Sequence, residues 1–177
     1  MALNFVGSIP NKSVSKSVLL SADEVSRALG QVWLPRIYKD EVLTERTRSF
    51  HIDFPAGKPK VSILHTLLGV ELKIGAKRIL CPDLATARYL SVFARAGCPD
   101  VAIPYDITRI SGYADSLESS WQRMLLLVEH LASDRSRSFR IKIRKVLVDQ
   151  IRELVKEAGA GTPIPKFKES TRQRKRF

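Results

Sequence analysis

Apolar residues between Val61 and Leu72 recur at the spacing of one helix face. Leu64 and Leu68 lie on that face, and Gly75 supplies the residue type that commonly follows the last turn of a helix. The spacing therefore predicts a helix over this segment that ends near Gly75.

Two short apolar runs downstream have the same surroundings. Residues 77–81 and residues 101–105 each follow a glycine and each end close to an aspartate, Asp83 or Asp106. The residues between the runs, about 84–96, predict a helix. Because the unit of helix, glycine, strand and aspartate occurs twice, we expect the two runs to be neighbouring parallel strands joined by a right-handed crossover.

The remaining patterns predict one strand and three helices. Phe50, Ile52 and Phe54 alternate with polar residues, as in a half-buried strand. Capping residues and helical spacing place the three helices at 21–30, 115–131 and 139–159.

Together these elements predict an α/β fold: a small, mostly parallel sheet with flanking helices, a C-terminal basic helix and a disordered basic tail. The chain of 177 residues is long enough for one hydrophobic core. We expect an irregular N-terminal arm at 1–20, a single α/β domain at 21–159, and a linker with a basic tail at 160–177.

Composition argues against several classes of protein. A chain with 44% hydrophobic and 27% charged residues is typical of a globular fold. Its apolar runs are too short to span a bilayer, and its N-terminus lacks the apolar block of a signal peptide. Cys81 and Cys98 have neither CxxC spacing nor a nearby histidine pair, which argues against a disulfide framework and a zinc site. We therefore expect a cytoplasmic protein with reduced cysteines and no membrane partner.

The net charge of +12 is concentrated towards the C-terminus. Residues 135–177 contain 14 Lys and Arg against 4 Asp and Glu, whereas residues 1–134 contain 16 against 14. This asymmetry between two parts of one chain indicates that the basic part binds a polyanion.

Six basic residues crowd the start of the last predicted helix, and no acid lies between Asp134 and Asp149. Cations at this end oppose the helix dipole and repel one another, so folding alone does not favour them. Phosphates would stabilise them, because helix-start N–H groups and arginine forks both favour an anion. The alternative interpretation is a solvated, charged helix face. The six residues are Arg135, Arg137, Arg140, Lys142, Arg144 and Lys145.

The predicted tail is basic as well, with Glu169 as its single acid. Such a tail follows a phosphate backbone well but reads bases poorly, because flexible cations neutralise charge without fixing a geometry. A solubilising or targeting tail is the alternative. Its basic residues are Lys166, Lys168, Arg172, Arg174, Lys175 and Arg176.

A candidate catalytic group consists of Asp53 and the string Val70-Glu71-Leu72-Lys73. The string resembles the motif of PD-(D/E)xK nucleases. That resemblance implies two carboxylates on adjoining strands that hold a divalent metal, and a lysine that steadies the attacking water. The helical spacing of this segment favours a different interpretation, in which Glu71 and Lys73 lie on the polar face of a helix.

Asp83 and Asp106 form a second candidate pair. The predicted parallel strands would bring both residues to one edge of the sheet, where open α/β sheets bind their ligands. Two close carboxylates there could share a metal or a proton. The alternative is that each aspartate caps the helix that follows it.

These patterns favour a nucleic-acid-binding protein that contacts the phosphate backbone of DNA or RNA through its basic C-terminal helix and tail. It would act alone or as a subunit of a larger assembly, and it would need no cofactor. The alternatives are a metal-dependent nuclease of PD-(D/E)xK-like type, which would need a divalent metal, and an adaptor that binds an acidic protein partner. Whether the chain is an enzyme stays open at this point.

Overall fold

A computed structural model describes residues 22–163 of the chain. These residues form five α-helices, five β-strands and two short 3-10 helices at Gly30–Val32 and Val42–Thr44. The α-helices are α1 (Ala22–Leu29), α2 (Leu34–Asp40), α3 (Leu84–Ala96), α4 (Ile107–Leu131) and α5 (Arg137–Ala158). The strands are β1 (Thr47–His51), β2 (Val61–Thr66), β3 (Gly69–Ile74), β4 (Lys77–Cys81) and β5 (Asp100–Pro104).

The strands form two small antiparallel sheets, so the prediction of one mostly parallel sheet is wrong. β2, β3 and β4 form a three-stranded meander, in which Ile74 of β3 pairs with both Val61 and Lys77. β1 and β5 form a separate two-stranded sheet, with Thr47 opposite Pro104. The fold is therefore mixed α/β with two antiparallel sheets.

The predicted helix between Val61 and Leu72 is wrong, because the segment is a β-hairpin. Leu72 and Ile74 are fully buried on one face of β3, with Glu71 and Lys73 on the other, which is the two-residue alternation of a strand. Leu67 and Leu68, which completed the helical spacing, lie at the exposed turn of the hairpin. The prediction was wrong because apolar residues at a solvated turn happened to have the spacing of a helix face.

The two apolar runs are confirmed as strands, and the helix between them is confirmed as α3. Their expected parallel pairing is wrong. β4 is hydrogen-bonded to β3 and β5 to β1, both antiparallel, so the runs lie in different sheets. The repeated unit reflects similar local signals, a strand followed by a capped helix, and those signals do not specify which strand is the neighbour.

Other boundaries differ from the predictions. β1 covers Thr47–His51, so it begins three residues before the predicted strand, which starts at Phe50. α4 begins at Ile107 because Asp106 caps it, well before the predicted start at 115. α2 was not predicted; Pro35 near its start fits the first turn of a helix.

Helix α3 lies at the centre of the core. Tyr89 and Phe93 are fully buried on it, and it packs against α4 and against the face of the three-stranded sheet that carries Leu72 and Ile74. Tyr38 of α2 packs edge-on against Phe93, with ring centroids 5.3 Å apart. The core is therefore assembled from residues that are distant in the sequence.

The buried Tyr38 hydroxyl joins three parts of the fold. It donates a hydrogen bond to the carbonyl oxygen of Gly159 (2.6 Å) and accepts one from the backbone N–H of Ala102 in β5 (2.9 Å). Burial raises the pKa of Tyr38 to about 12. The end of α5 is thereby fixed against α2 and β5.

Within residues 22–163, no helix is both long and apolar enough to cross a bilayer. The predicted arm at 1–20 lies outside the described residues. Of the predicted linker and tail at 160–177, the structure describes the first four residues. Thr162 among these forms a parallel bridge with Arg48 of β1.

Candidate functional site

The predicted basic cluster lies at the start of α5. Ser136 caps the helix, since its hydroxyl accepts a hydrogen bond from the N–H of Phe139 (3.2 Å). Arg135 precedes the helix, 3.8 Å from the Asp134 carboxylate, and its guanidinium group lies 5.4 Å from the centre of the Phe139 ring. Arg135 therefore has local partners that its charge alone did not reveal.

Two further members of the cluster share one carboxylate on α4. Arg140 lies 3.4 Å from the Glu129 carboxylate, and Arg144 pairs with the second oxygen of the same group. The absence of acids between Asp134 and Asp149 concealed this neutralisation, because Glu129 comes from the preceding helix. The other three members, Arg137, Lys142 and Lys145, are exposed, and no acidic side chain pairs with them within residues 22–163.

Beside α5, Arg144 and Lys145 line a cavity of about 630 Å³. Its other walls are the loop between β1 and β2 and the C-terminal end of α3. Three further cations converge on it from these elements: Lys58, Arg95 and Arg152. Among the described residues of the wall Asp149 is the one acid, and it pairs with Arg152 at 3.1 Å.

The cavity carries an excess of positive charge. Lys58, Arg95 and Lys145 are exposed and lack an acidic partner among the described residues. Like charges around one concave space repel each other, and low-dielectric walls strengthen the field within it. An anion in the cavity would relieve this repulsion.

Arg152 is held in a defined position in the wall. Its Nε donates to the carbonyl oxygen of Ala96 (3.3 Å), and its Nη1 contacts Asp149. Gly97 ends α3 with φ of +74°, and a Cβ on it would lie 3.0 Å from Nη2 of Arg152. The positive φ favours a glycine at 97, and a Cβ there would also displace the end of the Arg152 side chain by a few tenths of an ångström.

Arg144 is held less favourably. Its Nε is buried and has no hydrogen-bond partner among the described residues, although the same side chain pairs with Glu129. The Nε of Arg144 therefore keeps an unused donor beside the cavity.

The rest of the wall is apolar. Phe54, Pro59 and Val148 line the cavity between the cations, and Phe54 and Val148 also pack against the core. A site with apolar walls and a few convergent charges suits a ligand that has both an apolar and an anionic part.

The residues of the nuclease-like motif are not assembled as that motif would require. Asp53 follows β1 and pairs with Lys77, whose ammonium group holds the pKa of the Asp53 carboxyl below its ordinary value. Lys77 pairs with Ile74 and shares its face of the sheet, whereas Glu71 lies on the opposite face, 3.4 Å from Arg78. Lys73 lies on the Glu71 face. Asp53 and Glu71 thus pair with different basic residues of β4, whose strand positions lie on opposite faces.

Asp83 and Asp106 cap successive helices. The Asp83 carboxylate accepts the N–H of Thr86 (2.6 Å) at the start of α3. Asp106 accepts the hydroxyl (2.6 Å) and the N–H (3.0 Å) of Thr108, and these hydrogen bonds lower its pKa. Their strands lie in different sheets. Residues 22–163 contain no group of three His, Cys, Asp or Glu side chains arranged to hold a metal.

Sequence reasoning missed Lys58, Arg95 and Arg152 as site residues. A basic residue near the end of α3 is ordinary, because it complements the helix dipole, so Arg95 gave no signal. Lys58 follows Gly57 in a loop that the sequence could not position. The six predicted tail residues, Lys166, Lys168, Arg172, Arg174, Lys175 and Arg176, lie outside the described residues.

Comparison of the chain with protein-family models, curated proteins and solved structures found no match.

Proposed function

We propose that the chain binds nucleic acid through phosphate contacts made by the basic cavity and by the exposed cations at the start of α5. The observation that supports this most strongly is the convergence of Lys58, Arg95 and Lys145 on one cavity without acidic partners among the described residues. Repulsion among these cations opposes folding, and a bound anion would offset that repulsion. Binding of an anion therefore explains why the three cations lie together.

Phosphate is the anion that this chemistry favours. Arg95 supplies a planar fork that matches phosphate oxygens, while Lys58 and Lys145 act as point charges. Arg137 and Lys142 are further exposed cations near the start of α5. Phosphates that repeat along a strand would meet these cations in succession.

The salt dependence of binding tests the proposal. In a Lys58→Gln, Arg95→Gln, Lys145→Gln variant, the slope of log affinity against log salt should shrink by roughly 2–3, because about three phosphate contacts are lost. Affinity for labelled DNA and RNA would be measured by fluorescence anisotropy over a range of salt concentrations. Substitution of Arg140 or Arg144 would be a weaker test of phosphate binding, since both already form ion pairs with Glu129.

A matched control changes the same amount of charge elsewhere. Arg27, Arg36 and Lys39 are exposed cations of α1 and α2, and Arg36 and Lys39 line a different cavity, where Asp40 and Glu157 balance the charge. Their replacement by Gln should leave the slope nearly unchanged. Equal losses in the two variants would mean that only net charge matters. Competition by polyglutamate as strong as that by nucleic acid would instead favour the adaptor alternative.

A further inference from the structure

We propose that the basic cavity holds one nucleotide of a single strand, with its phosphate on Lys58, Arg95 and Lys145 and its base against Phe54. This inference rests on the proposed function and adds a ligand class. A volume of about 630 Å³ lies within the range of small-molecule sites, which is roughly 300–1,000 Å³. A nucleotide fits a cavity of this size, whereas a base stacked within a duplex is not free to enter one.

The wall has an apolar part and a cationic part, which match the base and the phosphate of a nucleotide. Phe54 supplies an aromatic ring, and Pro59 and Val148 extend the apolar surface beside it. The unpartnered cations come from three different elements, so they can surround a phosphate from several sides. Base stacking on an aromatic ring tolerates any base, because every base has a π-face.

Two of the arginines in the wall are held in place before any ligand enters. Arg152 is fixed by Ala96 and Asp149, and Arg144 is fixed by Glu129. Each guanidinium carries five N–H donors, so donors remain after these contacts. The Asp149 carboxylate neutralises Arg152 alone, which leaves the cavity positive.

The test compares a short single-stranded oligonucleotide with a duplex of the same sequence. Replacement of Phe54 by Leu removes the ring and keeps an apolar side chain. The variant should bind the single strand roughly 5- to 150-fold more weakly, the loss expected for one stacked base. Its affinity for the duplex should not change. Phe50→Leu is the control, because Phe50 is a half-buried phenylalanine of β1 that lines none of the described cavities.

The outcomes separate this inference from the proposed function. If Phe54→Leu leaves single-strand affinity unchanged, or weakens both forms equally, the inference is overturned while phosphate binding still stands. A nucleoside 5′-monophosphate serves as the second probe. If it binds and Phe54→Leu weakens its binding, but neither polymer binds, the cavity is a site for a free nucleotide and the proposed function fails. If neither the polymers nor the monophosphate bind, both proposals are overturned.

Discussion

The guanidinium group of Arg152 lies against Gly97, where a Cβ would approach its Nη2 to 3.0 Å. Gly97 also ends α3 in the left-handed conformation, with φ of +74°. One residue therefore terminates a helix and admits a cation to the wall of the cavity. The backbone conformation is the stronger reason for a glycine at this position, because the end of the Arg152 side chain could give way to a Cβ.

Replacement of Gly97 by Ala should therefore lower the free energy of unfolding by about 1–2 kcal/mol, because a Cβ is strained in this conformation. It should weaken nucleic-acid binding only slightly, since the end of the Arg152 side chain has to shift by a few tenths of an ångström. Urea unfolding and anisotropy measure the two effects. Gly112→Ala is the control: the residue lies within α4 with open space around it, and Ala there should stabilise by about 0.5–1 kcal/mol. Equal stability of Gly97→Ala and the native chain would show that this position does not favour a glycine.

Replacement of Tyr38 by Phe should cost about 1–3 kcal/mol, because the backbone groups of Ala102 and Gly159 lose their buried partner. The Tyr38 pKa is raised from 10.0 to about 12, so its neutral form is favoured in the fold. Its contribution is complete below pH 10 and is lost as the pH rises towards about 12.

Urea unfolding over that pH range would show a steeper loss of stability in the native chain than in Tyr38→Phe. Tyr105→Phe should behave like the native chain, because Tyr105 is half exposed and its hydroxyl makes no hydrogen bond to the described residues. Parallel loss in all three proteins would show that other groups dominate the alkaline unfolding.

Asp83 should behave as a helix cap. Asp83→Ala is expected to lower the free energy of unfolding by about 0.5–2 kcal/mol, whereas Asp83→Asn should leave it nearly unchanged, because Asn caps helices about as well as Asp. Thermal unfolding of the two variants checks this. A large loss in both variants would show that the charge, and not the cap, is required.

Glu129→Gln should strengthen nucleic-acid binding. The Glu129 carboxylate pairs with the guanidinium groups of Arg140 and Arg144, as a phosphate would. When glutamine replaces Glu129, both guanidinium groups become available to phosphates. The slope of log affinity against log salt should become steeper by roughly 1–2. Glu153→Gln is the control, because Glu153 is an exposed acid of α5 that pairs with no cation among the described residues. If affinity increased equally in both variants, the change in net charge alone would explain the effect.

Magnesium or manganese should not induce cleavage by Asp53 and Glu71, because each carboxylate pairs with its own basic residue, Lys77 or Arg78, and no group of three metal-holding side chains lies within residues 22–163. Labelled DNA and RNA should shift in a gel at low salt and stay intact in the presence of either metal. Metal-dependent cleavage that disappears in Asp53→Asn or Glu71→Gln would reverse this conclusion and support the nuclease alternative.

The sequence predicted those elements whose ends carry local signals. α3 was placed correctly because Asp83 caps its start and Gly97 its end. Strand pairing was not predictable in the same way, since β1 and β5 are distant in the sequence and neither contains a signal for the other. The hairpin of β2 and β3 was misread because Leu67 and Leu68 are exposed at its turn.

The candidate site was predictable only in part for the same reason. The cations of α5 form a run that is visible in the sequence, and the structure places Lys145 and Arg144 in the cavity wall. Which of them are neutralised depends on Glu129 of the preceding helix. The contributions of Lys58 and Arg95 depend on tertiary packing of a loop and a helix end.

The bridge between Thr162 and β1 has a consequence for the order in which the chain is made. Ser49 donates its backbone N–H to the Thr162 carbonyl oxygen (2.8 Å), and a Cβ on Gly161 would lie 2.6 Å from the Thr47 hydroxyl oxygen. β1 is synthesised early, but it pairs with β5 and then with a segment that follows all five described helices. A nascent chain therefore leaves the second edge of β1, the one opposite β5, unpaired until translation has passed Thr162, and during that interval this edge is open to wrong partners.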